Sequence, residues 1–534
     1  MSEAASKTGS RRRQIVSNIC TAVMAFTAAV AMALTATVAM SGPAAAASGY
    51  DPTSDVNSMY NTTLYTGVRN WWKAGYTGDG VDVAVIDTGV TPVDGLADPG
   101  KIVYGPDLSL DSPADNLHNL DANGHGTFMA GIIAGRGGGA DPSSSYATDQ
   151  TSFLGVAPDA RIVSVKVGAS DGSVDVSQVI AAIDWVVQHR NDDGLNIRVL
   201  NLSFGTDSIQ PYNVDPLAFA VEQAWKAGIF VVAATGNAGY QAKVGTLADP
   251  AFDPKIFAVG ASDSQGTVSP ADDTVAAFSS TGSNARYVDV VNPGSHLVSL
   301  RVPGSYIDQT FGATGYVSDG LFRGSGTSEA AAFTSGEAAL AIQQRPDITP
   351  GQLKKLFLSS TRGLNGYSSA QQGQGEVDMS AMLRTKTPCA PKQWNTIPWS
   401  TGTGSLELAR GSQHVVDNGV ALIGEQDIFG QPFDATAMAQ LEAAQSSWSG
   451  GTWNGSTWSG SGWTGTVWDS HTWSSHTWSG TDWSSHTWSS STWSSSTWSG
   501  GDWSSHTWSG NTWSASTWSA STWSSGAWLG ATWH

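Results

Sequence analysis

The sequence predicts an α/β fold, a doubly wound and mostly parallel sheet with helices on both faces. Runs rich in β-branched residues recur along the chain, and helical patterns near residues 177–190 and 216–227 lie between some of them. Strands that alternate with helices in this way are typical of a parallel sheet buried on both sides. The predicted strands span residues 81–86, 161–167, 197–204, 229–234 and 256–259.

Two polar residues follow predicted strands directly. Asp87 comes just past the first strand, and Asn237 just past the fourth. Functional groups gather at the carboxyl ends of the strands in open sheets of this kind, so we expect both side chains at one edge of the sheet. Two further segments carry reactive side chains, His125 in Asn-Gly-His-Gly-Thr and Ser328 in Gly-Thr-Ser-Glu-Ala.

An alanine-rich stretch at residues 329–344 predicts a helix that starts beside Ser328. The first amide groups of a helix have no partner within it, and the helix dipole favours negative charge at that end. Ser328 is therefore expected where a developing oxyanion is stabilised.

Asp87, His125 and Ser328 are the residue types of a nucleophilic triad. A serine hydroxyl is a poor nucleophile until an imidazole takes its proton, and a carboxylate fixes the tautomer of that imidazole. The order Asp, His, Ser, with the motif around each residue, resembles the subtilisin-like serine endopeptidases (subtilases, peptidase family S8). The resemblance implies a subtilisin-like fold, with Ser328 as nucleophile, His125 as general base and acid, and Asp87 as the orienting carboxylate.

Two other catalytic classes fit single motifs but not the set. An aspartic protease needs two catalytic carboxylates, and the sequence has no second Asp-Thr-Gly or Asp-Ser-Gly segment. An α/β-hydrolase needs its acid and histidine after the serine, where only His414 precedes the histidines of the C-terminal repeats. Neither class accounts for all three motifs.

The segment that ends at Asn237 resembles the subtilase segment whose asparagine donates to the oxyanion of the tetrahedral intermediate. The resemblance assigns Asn237 and the backbone N–H of Ser328 as oxyanion donors. It also implies a cleft that pairs with an extended peptide backbone, so the predicted substrate is an unfolded or loop segment of a protein. The cleft walls are Ser203, Phe204 and Gly205 on one side and Ala233, Ala234, Thr235 and Gly236 on the other.

Two positions depart from the usual subtilase pattern. Glu329 stands where the family commonly has Met, and Ala332 where it commonly has Pro. A carboxylate beside the nucleophile is expected to oppose the oxyanion, or to disfavour acidic residues on the leaving side of the substrate. Subtilases frequently bind structural calcium, but no calcium-ligand loop is recognisable in this sequence, so no metal-binding residue is assigned.

Residues 1–47 resemble a secretion signal. Arg11, Arg12 and Arg13 precede a mainly apolar run at residues 15–40, and the small residues at 44–47 suit cleavage by signal peptidase. The run is long enough that an uncleaved membrane anchor is the alternative. We therefore predict a secreted or cell-surface protein.

Charge and cysteine content restrict the partners of the chain. A formal net charge of −19 argues against nucleic-acid binding and favours a soluble acidic exoprotein, which we expect to be a monomer. Cleavage of the signal would remove Cys20 and leave Cys389, so no internal disulfide is expected.

After a predicted catalytic domain at residues 48–385, the composition changes twice. Residues 386–402 are predicted to be a linker, and 403–447 a small packed accessory module. From Trp448 to Trp533 a tryptophan recurs at every fifth position, eighteen in all, separated mainly by Ser, Thr and Gly. This spacing forms no stripe on a helix and alternates faces on a strand. For residues 448–534 we predict a disordered tail, with a β-solenoid as the alternative.

Exposed tryptophan rings stack on sugars, so the tail is expected to hold the protein at a cell wall or polysaccharide surface. Within the repeat, metal binding and a plain polar filler are the two interpretations of a histidine position shared by His471, His476, His486 and His506. The full prediction is a secreted serine endopeptidase. The alternatives are a surface-binding protein that has lost catalysis, and a dedicated maturation protease or peptide cyclase.

Overall fold

The computed structural model describes residues 49–112, 114, 117–137, 146–239, 247–389, 396–412, 414–417, 420–459 and 462–463. The predicted secretion signal and the repeats beyond Trp463 lie outside these residues. From Asp51 onward, the described residues belong to one compact unit. Within the described part of the chain, no helix is long and apolar enough to cross a membrane.

A ten-stranded sheet lies at the centre of the fold, and three smaller sheets accompany it. The strands are β1 (Asp82–Asp87), β2 (Ile102–Asp107), β3 (Arg161–Lys166), β4 (Ile197–Leu202), β5 (Phe230–Ala234), β6 (Phe257–Asp263), β7 (Thr274–Val275), β8 (Val290–Pro293), β9 (Leu297–Leu300), β10 (Tyr316–Ser318), β11 (Leu321–Gly324), β12 (Thr361–Arg362), β13 (Glu376–Val377), β14 (Val416–Asp417), β15 (Val420–Ala421), β16 (Trp448–Ser449), β17 (Thr452–Trp453), β18 (Ser456–Ser459) and β19 (Gly462–Trp463).

Helices cover this sheet, and two short 3₁₀ turns, at Tyr146–Thr148 and Asp192–Gly194, join the elements. The helices are α1 (Met59–Tyr65), α2 (Val68–Lys73), α3 (His125–Ala134), α4 (Val176–His189), α5 (Pro216–Lys226), α6 (Tyr306–Gly315), α7 (Thr327–Gln344), α8 (Pro350–Leu358), α9 (Ser369–Gln372), α10 (Met379–Arg384), α11 (Leu406–Arg410) and α12 (Ala435–Ala443).

The strand order across the central sheet is β12-β13-β8-β6-β5-β4-β1-β3-β2, with β7 beside β6. Its pairs are parallel except β12 with β13 and β6 with β7. Because β1 lies between β3 and β4, the chain winds outward from β1 in both directions. The carboxyl ends of β1, β3, β4 and β5 therefore meet at one edge, where open sheets of this class carry their functional groups.

Strand β1 shows why the strands of this sheet appear in the sequence as apolar runs. Its six residues are all buried. Val83 and Val85 belong to the buried cluster that contains α3 and α7, whereas Ala84 and Ile86 belong to the cluster that contains α4 and α5. Alternate side chains of a strand point to opposite faces, so a strand covered on both sides is apolar at consecutive positions, as at residues 83–86.

The predicted fold class is confirmed. Each predicted strand corresponds to one of β1, β3, β4, β5 and β6, with ends that differ by a few residues, and the two predicted helices are α4 and α5. The alanine-rich stretch beside Ser328 is α7.

The four helices that flank β1 begin in two ways. The carboxylates of Asp175 and Asp215 cap α4 and α5, since they accept from N–H groups of the first turn at 2.8 to 3.1 Å. In contrast, α3 and α7 follow Gly124 and Gly326, which provide no side-chain cap. The first amides of α3 and α7 are therefore left to other chain segments or to a bound ligand.

Residues 396–459, which we call the C-terminal module, pack on α4 and α5. The indole Nε1 of Trp448 donates to the carbonyl of Ala181 at 2.8 Å, and that of Trp453 donates to the carboxylate of Asp184 at 2.8 Å. Both rings are buried. Ser400, inside the predicted linker, is also buried. The described start of the tryptophan repeat is therefore continuous with the domain that carries the site.

Candidate active site

Asp87 and His125 form a buried pair. Asp87 is the last residue of β1 and His125 the first residue of α3, and the Nδ1–H of His125 donates to Oδ1 of Asp87 at 2.8 Å. Because an ionised carboxylate can only accept, the proton of a neutral imidazole lies on Nδ1 and the lone pair on Nε2. Burial lowers the pKa of His125, but the carboxylates of Asp87, Glu329 and Asp121 together outweigh burial, so the pKa lies above its ordinary value.

Close packing holds this pair in place. A Cβ on Gly126 would lie 2.1 Å from the carbonyl oxygen of Gly89 and 3.1 Å from Oδ1 of Asp87, so only glycine fits directly after the histidine. The hydroxyl of Thr88 accepts the N–H of Gly126 at 2.9 Å. The start of α3 is thereby fixed against the end of β1.

Asp121 holds the same helix start from the other side, and the sequence interpretation missed it. Its Oδ1 accepts from the N–H of Gly124 at 2.7 Å and from Thr88 Oγ1 at 2.8 Å, and its Oδ2 accepts from the N–H of Thr127 at 2.7 Å. Its position, four residues before His125, is the only sequence signal for this role. Asp121 therefore takes the place of the missing cap.

Ser328 is the second residue of α7 and is fully buried. Its Oγ donates to the carbonyl oxygen of Ser203 at 3.3 Å, and the hydroxyl of Ser203 donates to the Ser328 carbonyl at 3.2 Å. Helices α3 and α7 pack against each other, and Glu329, the next residue, interacts electrostatically with His125 and Asp87. Ser328, His125 and Asp87 thus lie in one region.

Asn237 follows β5 and meets the start of α7. Its Oδ1 accepts from the N–H of Thr327 at 3.0 Å and from the hydroxyl of Thr327 at 3.1 Å. That hydroxyl in turn accepts the N–H of Gly236 at 3.1 Å. These two bonds hold the amide oxygen of Asn237 on Thr327, the residue directly before Ser328. Thr327 is a second positioning residue that the sequence did not single out.

The predicted cleft walls follow neighbouring strands. Ser203, Phe204 and Gly205 come directly after β4, and Ala233 and Ala234 end β5. Phe204 is buried in the cluster of α4 and α5, so this residue can offer a peptide only its backbone. Beyond the walls, Thr206 pairs with Asp249 through two backbone hydrogen bonds of 2.9 and 3.0 Å, and the N–H of Ala248 donates to the carbonyl of Thr235 at 3.1 Å. The remaining wall residues, Thr235 and Gly236, come directly after β5.

Comparison with known proteins gives the same class as the site. The family model described as Peptidase_S8, the subtilase family, matches residues 78–375, more than half of the chain. The chain belongs to the subtilase family. Its catalytic domain is a serine endopeptidase domain of the subtilisin type.

Similar proteins include three from Bacillus subtilis (strain 168). This subtilase is 38% identical to serine protease AprX over 308 residues, covering 57% of this chain and 66% of AprX. It is 30% identical to the minor extracellular protease Epr over 342 residues, covering 64% of this chain but 44% of Epr. It is 31% identical to subtilisin E over 312 residues, covering 58% of this chain and 66% of subtilisin E.

Two solved structures are similar in part. MycP1 with its N-terminal propeptide removed is 25% identical with a TM-score of 0.45, covering 62% of this chain and 98% of MycP1. A cold-adapted subtilisin-like serine proteinase is 30% identical with a TM-score of 0.40, covering 57% of this chain and 88% of that protein.

The residue after Ser328 distinguishes this subtilase site from the common pattern. Glu329 is fully buried, and neither of its carboxylate oxygens has a hydrogen-bond partner among the described residues. Burial raises the pKa of Glu329 to about 7, against the opposing effect of His125. The expected full negative charge beside the oxyanion is therefore only partly present at neutral pH. Ala332, at the second departure, is buried inside α7 and leaves the helix unbroken.

Calcium stays an expectation that the resemblance implies. Across the described residues, no group of three or more His, Cys, Asp or Glu side chains is arranged to hold a metal ion. His414, the histidine that an α/β-hydrolase would have required, bonds Glu407 in the C-terminal module at 2.9 Å.

Proposed function

We propose that this subtilase is a secreted endopeptidase that uses Asp87, His125 and Ser328 as its triad. The observation that carries the proposal is the buried 2.8 Å bond from His125 Nδ1 to Asp87. This bond leaves Nε2 as the basic atom and stabilises the imidazolium that forms when Ser328 gives up its proton. An α/β-hydrolase would need its acid and histidine after the serine, whereas Asp87 and His125 both precede Ser328.

The reaction then follows from the positions of these groups. Ser328 Oγ forms a bond to the carbonyl carbon of the peptide while its proton moves to Nε2 of His125. The carbonyl oxygen becomes an oxyanion at the start of α7, where Asn237 Nδ2 and the N–H of Ser328 donate to it. His125 passes the proton to the leaving amine as the C–N bond breaks, and water releases the acyl group by the reverse sequence.

We propose an extended protein or peptide segment as the substrate. The wall residues 203–205 follow a strand of the central sheet, so a peptide can add to them by backbone hydrogen bonds. Secretion is supported by the N-terminal pattern at residues 1–47 and by the similarity to Epr, a minor extracellular protease. For the repeats beyond Trp463 we retain binding to a cell wall or polysaccharide, and for the assembly state a monomer.

A serine-directed phosphonate probe tests the proposal. Incubation with the full chain, followed by peptide mapping, should place the label on Ser328, and Ser328→Ala should abolish labelling. Asn237→Ala is the matched control, since it keeps the nucleophile and should be labelled more slowly. A folded protein that takes no label would favour the alternative of a surface-binding protein without catalysis.

A further inference from the structure

Two chain segments lie on either side of the end of β1. The β3 segment, residues 167–175, begins with the N–H groups of Val167 and Gly168, which donate to the carbonyl of Asp87 at 2.8 and 3.2 Å. The β4 segment, residues 203–207, begins at Ser203, which is hydrogen-bonded to Ser328. Because β1 lies between β3 and β4, these two segments flank the space beyond the carboxyl end of β1, which we call the groove.

The β3 segment also passes the histidine. Asn123, two residues before His125, donates from Nδ2 to the carbonyl of Ser170 at 3.1 Å. The segment then reaches Asp175, which caps α4. Both segments thus start at the triad and continue away from it.

The C-terminal module binds the far end of the β3 segment. Arg410 is fully buried, and its guanidinium donates to both oxygens of Asp175, at 2.6 Å from Nε and 3.3 Å from Nη2. Nη1 of Arg410 also donates to the carbonyl of Gly424 at 2.7 Å, which joins this contact to the rest of the module. A buried bidentate pair of this kind constrains the relative orientation of the two side chains as well as pairing their charges.

The same turn of the module binds the far end of the β4 segment. Thr206 Oγ1 donates to the carbonyl of Ala409 at 2.6 Å, and Ser412 donates to Asp207 from its N–H at 2.7 Å and its hydroxyl at 2.5 Å. Gly411, between them, has φ 63°, and a Cβ there would lie 2.2 Å from Oδ1 of Asp207. The approach is close enough to require glycine.

Apolar packing supports this bridge on the side of the β3 segment. One buried cluster joins the catalytic domain to the module, so the bridge is not a loose surface contact. Its members are Leu110, Ala169, Val415, Leu422, Ile428 and Phe429.

We propose that residues 409–412 of the C-terminal module close the groove on the acyl side of the scissile bond. A peptide that pairs antiparallel with the β4 segment has its scissile bond at Ser203 and its earlier residues toward Thr206. Three residues span at most roughly 10 Å, so the module stands about four peptide residues from the scissile bond. The substrate class is a short extended segment that turns away after about four residues. The inference rests on the proposed peptide hydrolysis.

Peptides that differ only in length before the scissile bond test the closure. The full chain should show kcat/KM rising up to about the fourth acyl-side residue, and each further residue should change it by less than about twofold. A continued rise through the fifth to eighth residues would overturn the closure while leaving the endopeptidase intact. If no peptide of any length is cleaved, the proposed function fails instead.

Two exposed contacts of the module provide the variant and its control. Asp207→Ala removes both hydrogen bonds to Ser412 at the groove, whereas Gln445→Ala removes the 3.1 Å bond from Arg190 Nη1 at the other end of α4. The ratio of kcat/KM for an eight-residue to a four-residue acyl side should rise by about threefold in Asp207→Ala because the turn opens more easily, and stay unchanged in Gln445→Ala. An unchanged ratio in Asp207→Ala, or an equal rise in both variants, would contradict the proposal. Thermal unfolding of both variants checks that they are folded.

Discussion

Helices α3 and α7, on one face of the sheet, begin at glycines and carry His125 and Ser328 in their first turns. Helices α4 and α5, on the other face, begin at aspartate caps and carry the C-terminal module. The first pair leaves its amides to residues such as Asp121 and Asn237, next to the reactive groups. In the second pair, amide groups of the first turn are hydrogen-bonded to the capping aspartates. The helices on one face therefore position the reactive groups, whereas the helices on the other face stabilise the fold.

The largest expected effect is the loss of activity in Ser328→Ala, a change on the face of the sheet that carries the reactive groups. Ser328→Ala should lower kcat/KM for a peptide substrate by about 10⁴-fold or more, because the nucleophile is lost. The midpoint of thermal unfolding should stay close to that of the unmodified chain, since only one hydroxyl is removed. Peptide turnover and calorimetry on the same sample give both numbers. Proteolysis at the original rate by pure Ser328→Ala would remove the triad assignment.

Asn237→Ala should produce the next largest loss. Removal of one oxyanion donor from a subtilisin costs about 10²- to 10³-fold in kcat, and we expect a loss of this size here with little change in KM. Steady-state kinetics over a range of substrate concentrations measure the two constants. A change confined to KM would mean that Asn237 binds the ground state of the substrate.

On the opposite face, Trp453→Ala should change stability instead of chemistry. Trp453 is fully buried and bonded to Asp184, so its truncation should lower the free energy of unfolding by about 3 to 5 kcal/mol. Trp399→Ala is the matched control, because its half-exposed ring contacts Lys255 at 3.8 Å and should cost less than about 1 kcal/mol. Equal losses in the two variants, measured by denaturant unfolding, would break the comparison.

A shortened chain tests the same contribution of the C-terminal module to stability. A chain that ends at Gln445 lacks both Trp448 and Trp453, so it should lose stability along with any surface binding.

Glu329→Gln should have the smallest and most pH-dependent effect. Since burial raises the pKa of Glu329 to about 7, the side chain is neutral below that pH and ionised above it. Near pH 6 the variant and the unmodified chain should have similar kcat, whereas near pH 8.5 the variant should be severalfold faster because it carries no charge against the oxyanion. Stability should change in the same direction. Because the pKa of Glu329 is raised in the folded chain, the free energy of unfolding of the unmodified chain should fall relative to that of Glu329→Gln as the pH rises.

A kcat profile from pH 5.5 to 9 for both proteins checks this prediction. His125 faces Glu329, and the Glu329 carboxylate contributes to the raised pKa of His125, so the ratio of the two profiles reports the loss of the Glu329 charge together with a lower pKa of His125 in the variant. A ratio that stays constant with pH would indicate that the carboxylate acts on the leaving side of the substrate instead.

Much of the fold could be predicted because β1, β3, β4, β5 and β6 are buried on both faces of the sheet and are therefore mainly apolar. Asp87 and Asn237 were predictable because they lie at or just past the carboxyl ends of such strands. Asp121 and Thr327 were not, since they act through hydrogen bonds to helix starts that only the folded chain brings near. The protonation of Glu329 likewise depends on burial that the sequence does not show.

The start of the tryptophan repeat shows a different limit. A five-residue period fits neither a helix nor a continuous strand, which is why burial was not expected. In the structure, two-residue turns at Gly450-Gly451 and Asn454-Gly455, all with positive φ, reverse the chain between short strands. Trp448 then lies directly opposite Trp453 in an antiparallel pair, and paired residues share one face. The period therefore spans a strand and its turn.

The central claim is that Asp87, His125 and Ser328 act as one unit, and a double variant tests it most directly. Peptide turnover would be measured for Ser328→Ala, His125→Ala and the chain that carries both changes. If the two residues act together, the double variant should be no slower than the slower single variant, because either change already disables the proton transfer. If the two losses multiply, His125 and Ser328 contribute independently and the triad account is contradicted.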